Sequence, residues 1–92
     1  MNQPIKIQFV TSSNLIIGNF YLMSDRIRNI PTTWLLKYEG MCGGKFVFKP
    51  IAIIDGDREI IEEWRNGYFI LPEYDLKFLL PYDNSDALLY LL

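Results

Sequence analysis

The strongest β-type apolar run in the chain is Leu15-Ile16-Ile17-Gly18-Asn19-Phe20-Tyr21-Leu22-Met23, and its pattern predicts the central strand of a sheet. Leu15, Ile17 and Tyr21 would point to one side and Ile16, Phe20 and Leu22 to the other, as expected of a strand covered on both faces. Gly18 interrupts the run, which marks a bulge or a sharp bend of the kind that closing a small barrel requires. Upstream, Ile5, Ile7 and Phe9 alternate with Lys6 and Gln8, the period of a strand with one buried face. Thr11-Ser12-Ser13-Asn14 supplies turn chemistry between the two, so residues 5–23 read as a hairpin that ends at Ser24-Asp25.

Downstream the apolar pattern recurs in short pieces. Residues 25–31 mix apolar and polar positions, as a corner or a short irregular strand does, and Thr32 to Tyr38 resumes a β-branched and aromatic composition anchored on Trp34. Three glycines in Gly40-Met41-Cys42-Gly43-Gly44 predict a flexible loop. Phe46 and Phe48 alternate with Val47 and Lys49 in a further strand, and Pro50 places that strand at an edge or gives it a bulge. Ile51 to Ile54 continue it to the turn Asp55-Gly56-Asp57.

The stretch from Arg58 to Arg65 fits two patterns. Ile60, Ile61 and Trp64 share one helical face, with Asp57 as cap and Gly67 as stop, which makes a short helix near 58–66. Asn66-Gly67 before Tyr68-Phe69-Ile70 is also a strong hairpin signal, and the β-rich flanks favour the hairpin. Tyr68 to Leu71 and Leu76 to Leu80 then read as two short strands around Pro72-Glu73-Tyr74-Asp75, with Pro81 closing the series. The whole predicts a mainly β fold, a small and strongly bent antiparallel barrel or roll over residues 1–83, followed by an apolar tail over 84–92.

With 92 residues, half of them apolar, the chain is one folded domain close to the size at which stability is marginal without a partner. A single cysteine, Cys42, and no histidine rule out an internal disulfide framework and the usual zinc or haem sites, so a reducing compartment is expected. No basic-then-apolar leader and no apolar run near the roughly 18 residues of a membrane span are present, which points to a cytoplasmic protein. Charge is unevenly spread: residues 1–54 carry six cations and two anions, residues 55–92 three cations and nine anions. Interleaved halves would mix these charges on one surface, whereas separated halves would make a two-faced molecule able to self-associate.

Candidate chemistry is sparse. The chain has no phosphate-binding glycine loop, no nucleophile elbow and no imidazole to make a thiolate of Cys42. Asp55/Asp57 and Glu62/Glu63 could in principle hold a hard cation or act on a glycosidic bond, but read more simply as a turn and a solvated face. No catalytic, cofactor or metal residues are assigned.

Gly18-Asn19-Phe20 followed by Asp25-Arg26-Ile27-Arg28-Asn29 resembles the first signature of Sm-like proteins, in which a strand glycine precedes an Asp and an Asn four residues apart. Here the glycine-to-Asp interval is one residue longer, and the second signature, an Ile-Arg-Gly triplet, falls at Ile70-Leu71-Pro72, where Arg and Gly are both replaced. The resemblance covers about a third of the chain. It implies a strongly bent five-stranded barrel, Sm-like or SH3-like, commonly assembled into rings, and a single-stranded RNA site at Asn29 with Arg28 and Arg26 beside it. Leu71 in place of the Arg removes a major RNA contact, and the acidic balance argues against nucleic acid.

The tail Ala87-Leu88-Leu89-Tyr90-Leu91-Leu92 holds five large apolar residues, a composition that seldom stays in water. It can dock on its own barrel, insert into a groove on another chain through Leu88, Leu91 and Leu92, or serve as an end read by a quality-control protease. The expected function is a non-enzymatic protein-binding or assembly factor, in which Phe46, Phe48, Leu88, Leu89, Tyr90, Leu91 and Leu92 meet another protein or a second copy. The edge strand at Phe46–Pro50 and the Gly40–Gly44 loop complete that surface.

Overall fold

The computed structural model describes residues 10–91. The strand expected at Ile5 to Phe9, with the upstream arm of the 5–23 hairpin, and the tail residue Leu92 lie outside the described residues. Among the described residues five strands form one antiparallel sheet: β1 (Phe20–Ile27), β2 (Ile30–Cys42), β3 (Lys45–Asp55), β4 (Phe69–Leu71) and β5 (Leu79–Tyr82), in the order β4-β3-β2-β1-β5. The sheet is not closed, because the outermost strands β4 and β5 do not pair with each other.

The sheet's centre is β2, not the Leu15 to Met23 run, of which only the second half is strand. Gly18 adopts φ +89°, a conformation that side chains disfavour, and the chain turns there. The turn is pinned by the Gly18 N–H donating to the Tyr38 carbonyl at 2.9 Å and the Asn19 N–H donating to Ile16 at 3.0 Å. Ile16 and Ile17 are left 57% and 68% exposed, so their apolar character did not place them in the sheet. From Phe20 onward the two-sided expectation holds, with Tyr21 packed into one cluster and Phe20 into the other.

β1 does not stop at Ser24-Asp25. It runs to Ile27 and pairs with β2 down to Ile27↔Ile30, leaving only Arg28 (φ 52°) and Asn29 (φ 66°) as the loop. A two-residue loop with both φ positive matches the twist of the flanking strands, so the expected corner is a tight hairpin. The glycine-rich stretch behaves likewise. Gly40, Met41 and Cys42 finish β2, and only Gly43 and Gly44 (φ 58° and 75°) form the turn into β3.

Three register slips between β2 and β3 bend the sheet, at Thr33/Trp34, Leu35/Leu36 and Tyr38/Gly40. The middle one skips Ile51, next to Pro50, whose ring nitrogen has no proton for the ladder. Pro50 therefore marks a bulge, and it also lies on the part of β3 whose other side pairs with no strand among the described residues. β3 pairs with β2 on one side and, over Phe46–Phe48, with β4 on the other.

The Arg58 to Arg65 stretch is helical, which overturns the hairpin reading. A 3-10 turn (Arg58–Ile60) leads into α1 (Ile61–Trp64), capped by the Asp57 carboxylate accepting from the Glu59 N–H at 3.0 Å. Burying Ile60 and packing Ile61 and Trp64 on the core outweighs the turn preference of Asn66-Gly67, which instead ends the helix. Gly56 at the entry is held by sterics: a Cβ there would meet the Pro31 carbonyl and the Thr32 hydroxyl at 2.9 Å. Residues 73–78 form a second 3-10 segment (Glu73–Phe78) where a strand from Leu76 was expected, because Leu76 is drawn into the core from its last turn. Pro81 does not end the sheet; it lies within the edge strand β5, opposite Tyr21.

Alternation along the strands separates an inner and an outer face. The inner face carries the larger cluster: Tyr21, Trp34, Leu36, Tyr38, Phe46, Phe48 and Ile53, covered by Val10, Ile60, Leu76 and Leu79. Aromatic edges meet faces throughout it, as in Trp34–Phe69 at 4.9 Å and Tyr21–Phe48 at 6.1 Å. The outer face buries only Phe20 and Leu35 of the sheet, under Ala87 of a short C-terminal helix, α2 (Asn84–Ala87).

Candidate protein interface

The outer face is built from residues that point away from the main core: Leu22 and Tyr82 at one side, Ile51, Ala52 and Ile54 at the other, all only half-buried. Leu80, opposite Leu22 in the β1–β5 ladder, adds a 55% exposed side chain. Asp83 caps α2 by accepting from the Asp86 N–H at 3.1 Å, and Asn84 donates to the Asn19 side chain at 3.1 Å. These bonds seat Ala87, fully buried, against Phe20 and Leu35.

Past Ala87 the chain makes a 3-10 turn (Leu88–Tyr90) that leaves Leu88, Leu89 and Leu91 exposed to 55%, 71% and 48%. Tyr90 lies against Tyr82. Removal from water, followed by the neighbouring Tyr90 and the Asp86 and Asp83 carboxylates, raises the Tyr82 phenol above the usual tyrosine value. The tail thus docks on its own sheet through Ala87 and leaves the following leucines outside.

Phe46 and Phe48, the other expected contact residues, face inward. They are 3% and 0% exposed and belong to the main core, so the strand that carries them offers no side chain of theirs to a partner. Met41 beside the glycine turn is 60% exposed, and Cys42 is exposed as a free thiol.

Arg26, Arg28 and Asn29 gather at the tip of the β1–β2 hairpin. Arg28 pairs with Glu63 at 3.0 and 3.2 Å, Arg26 donates to the Asn29 carbonyl at 3.2 Å, and the Asp25 carboxylate accepts from the Arg26 N–H at 2.7 Å. The Arg28–Glu63 pair joins the basic half of the chain to the acidic half, so at this point the charges interleave. The acidic pairs are likewise engaged locally, Asp57 as a cap and Glu62 with Arg65 at 2.6 Å. Among the described residues no group of three or more His, Cys, Asp or Glu side chains could hold a metal ion, and no helix is long and apolar enough to cross a membrane.

A second concave region, not foreseen from the sequence, lies where β1 and β4 face each other without pairing. Two adjoining cavities of about 270 and 330 Å³ share Met23, Asp25 and Leu71. Ser24, Asp75 and Phe78 complete the first. Ile27, Trp34, Trp64, Tyr68, Phe69 and Ile70 complete the second, and these residues come from four separate elements and a loop. Comparison of the chain with protein-family models, curated protein sequences and solved structures returned no match.

Proposed function

We propose that the protein is a non-enzymatic protein-binding module whose contact surface is the outer sheet face continued by Leu88, Leu89 and Leu91. The observation that carries this reading is that a segment docked and capped at Asp83–Ala87 still holds three leucines out of its own core. Each leucine covered by a partner would contribute about 1.5–3 kcal/mol, before the cost of association is subtracted. The strongly bent five-stranded sheet supports an Sm-like or SH3-like roll as the scaffold. The partner is another protein or a second copy of this chain, which would lay its own apolar side chains on this surface.

The test is the triple variant Leu88→Ser, Leu89→Ser, Leu91→Ser in the full chain. We expect its thermal midpoint to stay within a few degrees of the parent, while capture of partners from host extract, identified by mass spectrometry, and any self-association in light scattering are lost. Unchanged capture and unchanged solution mass would remove the tail from the function. Binding of a single-stranded oligonucleotide pool at low salt, abolished by Arg28→Ala, would replace this reading with an RNA-binding one.

A further inference from the structure

We propose that the cleft between β1 and β4 binds an extended peptide carrying a basic residue among apolar ones, added as a strand to the free edge of β1. This site is separate from the C-terminal surface and stands without it.

The backbone provides the first argument. β1 pairs with β5 only from Phe20 to Met23, because the chain before Leu79 leaves the sheet as a 3-10 segment. Ser24 to Ile27 therefore pair with β2 on one side and, among the described residues, with no strand on the other. In an antiparallel ladder, alternate residues direct N–H and C=O to opposite sides. With Ile27 and Ile30 closing the two-residue turn, Ser24 and Arg26 face the open side. The Arg26 N–H is met there by the carboxylate of its own neighbour Asp25 at 2.7 Å, an acceptor standing where a neighbouring strand's carbonyl would be. An incoming strand would continue the line of β5, and its carbonyl would take over the Arg26 N–H and free Asp25.

The second argument is the chemistry of the cleft. Apolar walls come from Met23, Ile27, Trp64, Phe69 and Leu71, and among the described residues the charged side chains lining the two cavities are Asp25 and Asp75. Lys49, over the Tyr68 ring at 5.2 Å, meets the far end of the cleft, and Lys77, over the Phe78 ring at 5.2 Å, stands behind the near wall, so Asp25 and Asp75 line the near end with one cation beside it. A peptide with apolar side chains toward Trp64 and Phe69 and a lysine or arginine toward Asp25 matches this layout.

The third is an unmade hydrogen bond. Trp34 forms part of the cleft wall, is fully buried, and its indole Nε1–H has no acceptor among the described residues. Buried donors are rarely left so in a finished fold, and because this one has no accessible surface, a bound peptide would supply its acceptor only by displacing part of the wall around it.

The full chain should be titrated with fluorescein-labelled Ser-Val-Ser-Lys-Ser-Val-Ser, whose valines and lysine share one face of a strand, and with its counterpart carrying glutamate in place of the lysine. We expect the lysine peptide to bind at least tenfold more tightly, to shift the fluorescence of Trp34 and Trp64, and to slow amide exchange at Ser24–Ile27. Asp25→Asn should weaken it about tenfold, while Asp55→Asn, the same charge change outside the cleft, should leave it unchanged. The Leu88/Leu89/Leu91 serine variant should bind the peptide as the parent does, so failure of the tail surface and failure of this site are told apart. Absence of binding, equal binding of the two peptides, equal effects of the two Asp variants, or protection at Leu79–Tyr82 instead would each overturn the proposal.

Discussion

The two faces of this sheet are made by alternate residues of the same strands, yet they differ in how the chain covers them. The inner face draws in side chains from both helical segments, and Trp34, Leu36 and Phe48 on it lose all contact with water. Among the described residues the outer face has one fully buried cover residue, Ala87, with half-buried apolar side chains around it. The contrast assigns the inner face to holding the fold.

Breaking the inner face should have the largest effect. Phe48→Ala empties a site packed against Tyr21 and Tyr38, and should cost about 3–5 kcal/mol in denaturant unfolding, a large part of what a domain of this size has. On the outer face, Ala87→Glu should cost only about 1 kcal/mol, because the C-terminal segment can undock and take the carboxylate into water. Proton exchange should then show loss of protection over Asn84–Ala87 with β2 unchanged. A cost near that of Phe48→Ala would erase the distinction between the faces.

The smallest effect sharpens the contrast by pH. Burial, with Tyr21 next to it, raises the Tyr38 phenol above the usual tyrosine value. The folded state then keeps a proton that the unfolded chain has already released. Stability from this group is complete below the unfolded tyrosine pKa of about 10 and falls as pH rises past it. Tyr38→Phe should flatten the alkaline limb of a stability-versus-pH curve, and a limb unchanged by the substitution would mean that Tyr38 does not carry it.

Much of the inner face was legible in the sequence. The β-branched and aromatic composition around Trp34 and the alternation from Phe46 to Phe48 located two strands and their anchor, and Asp55-Gly56-Asp57 was a turn on composition alone. Hydropathy misled where it could not see hydrogen bonds: Ile16 and Ile17 read as strand, but the positive φ at Gly18 and the bond to Tyr38 hold them in a turn. At Arg58–Arg65 local signals for helix and hairpin were balanced, and the core's demand for Ile60 decided. Arg28 and Asn29 lack the glycine that usually announces a two-residue hairpin loop. The exposed apolar tail could be read directly, whereas Phe46 and Phe48 needed the pairing of β3 with β4 to be recognised as interior. The cleft was out of reach, because its walls are brought together from Met23 to Phe78 only by the bending of the sheet.

The pairing of β5 with β1 has a consequence for synthesis. The first three strands are joined by two-residue turns and can assemble as each leaves the ribosome, but the far side of Phe20 to Met23 must wait for Leu79 to Tyr82, about two thirds of the chain later. During that interval β1 has no strand on that side among the described residues, and anything that shields it, a chaperone or a neighbouring nascent chain, competes with β5 for the same backbone groups.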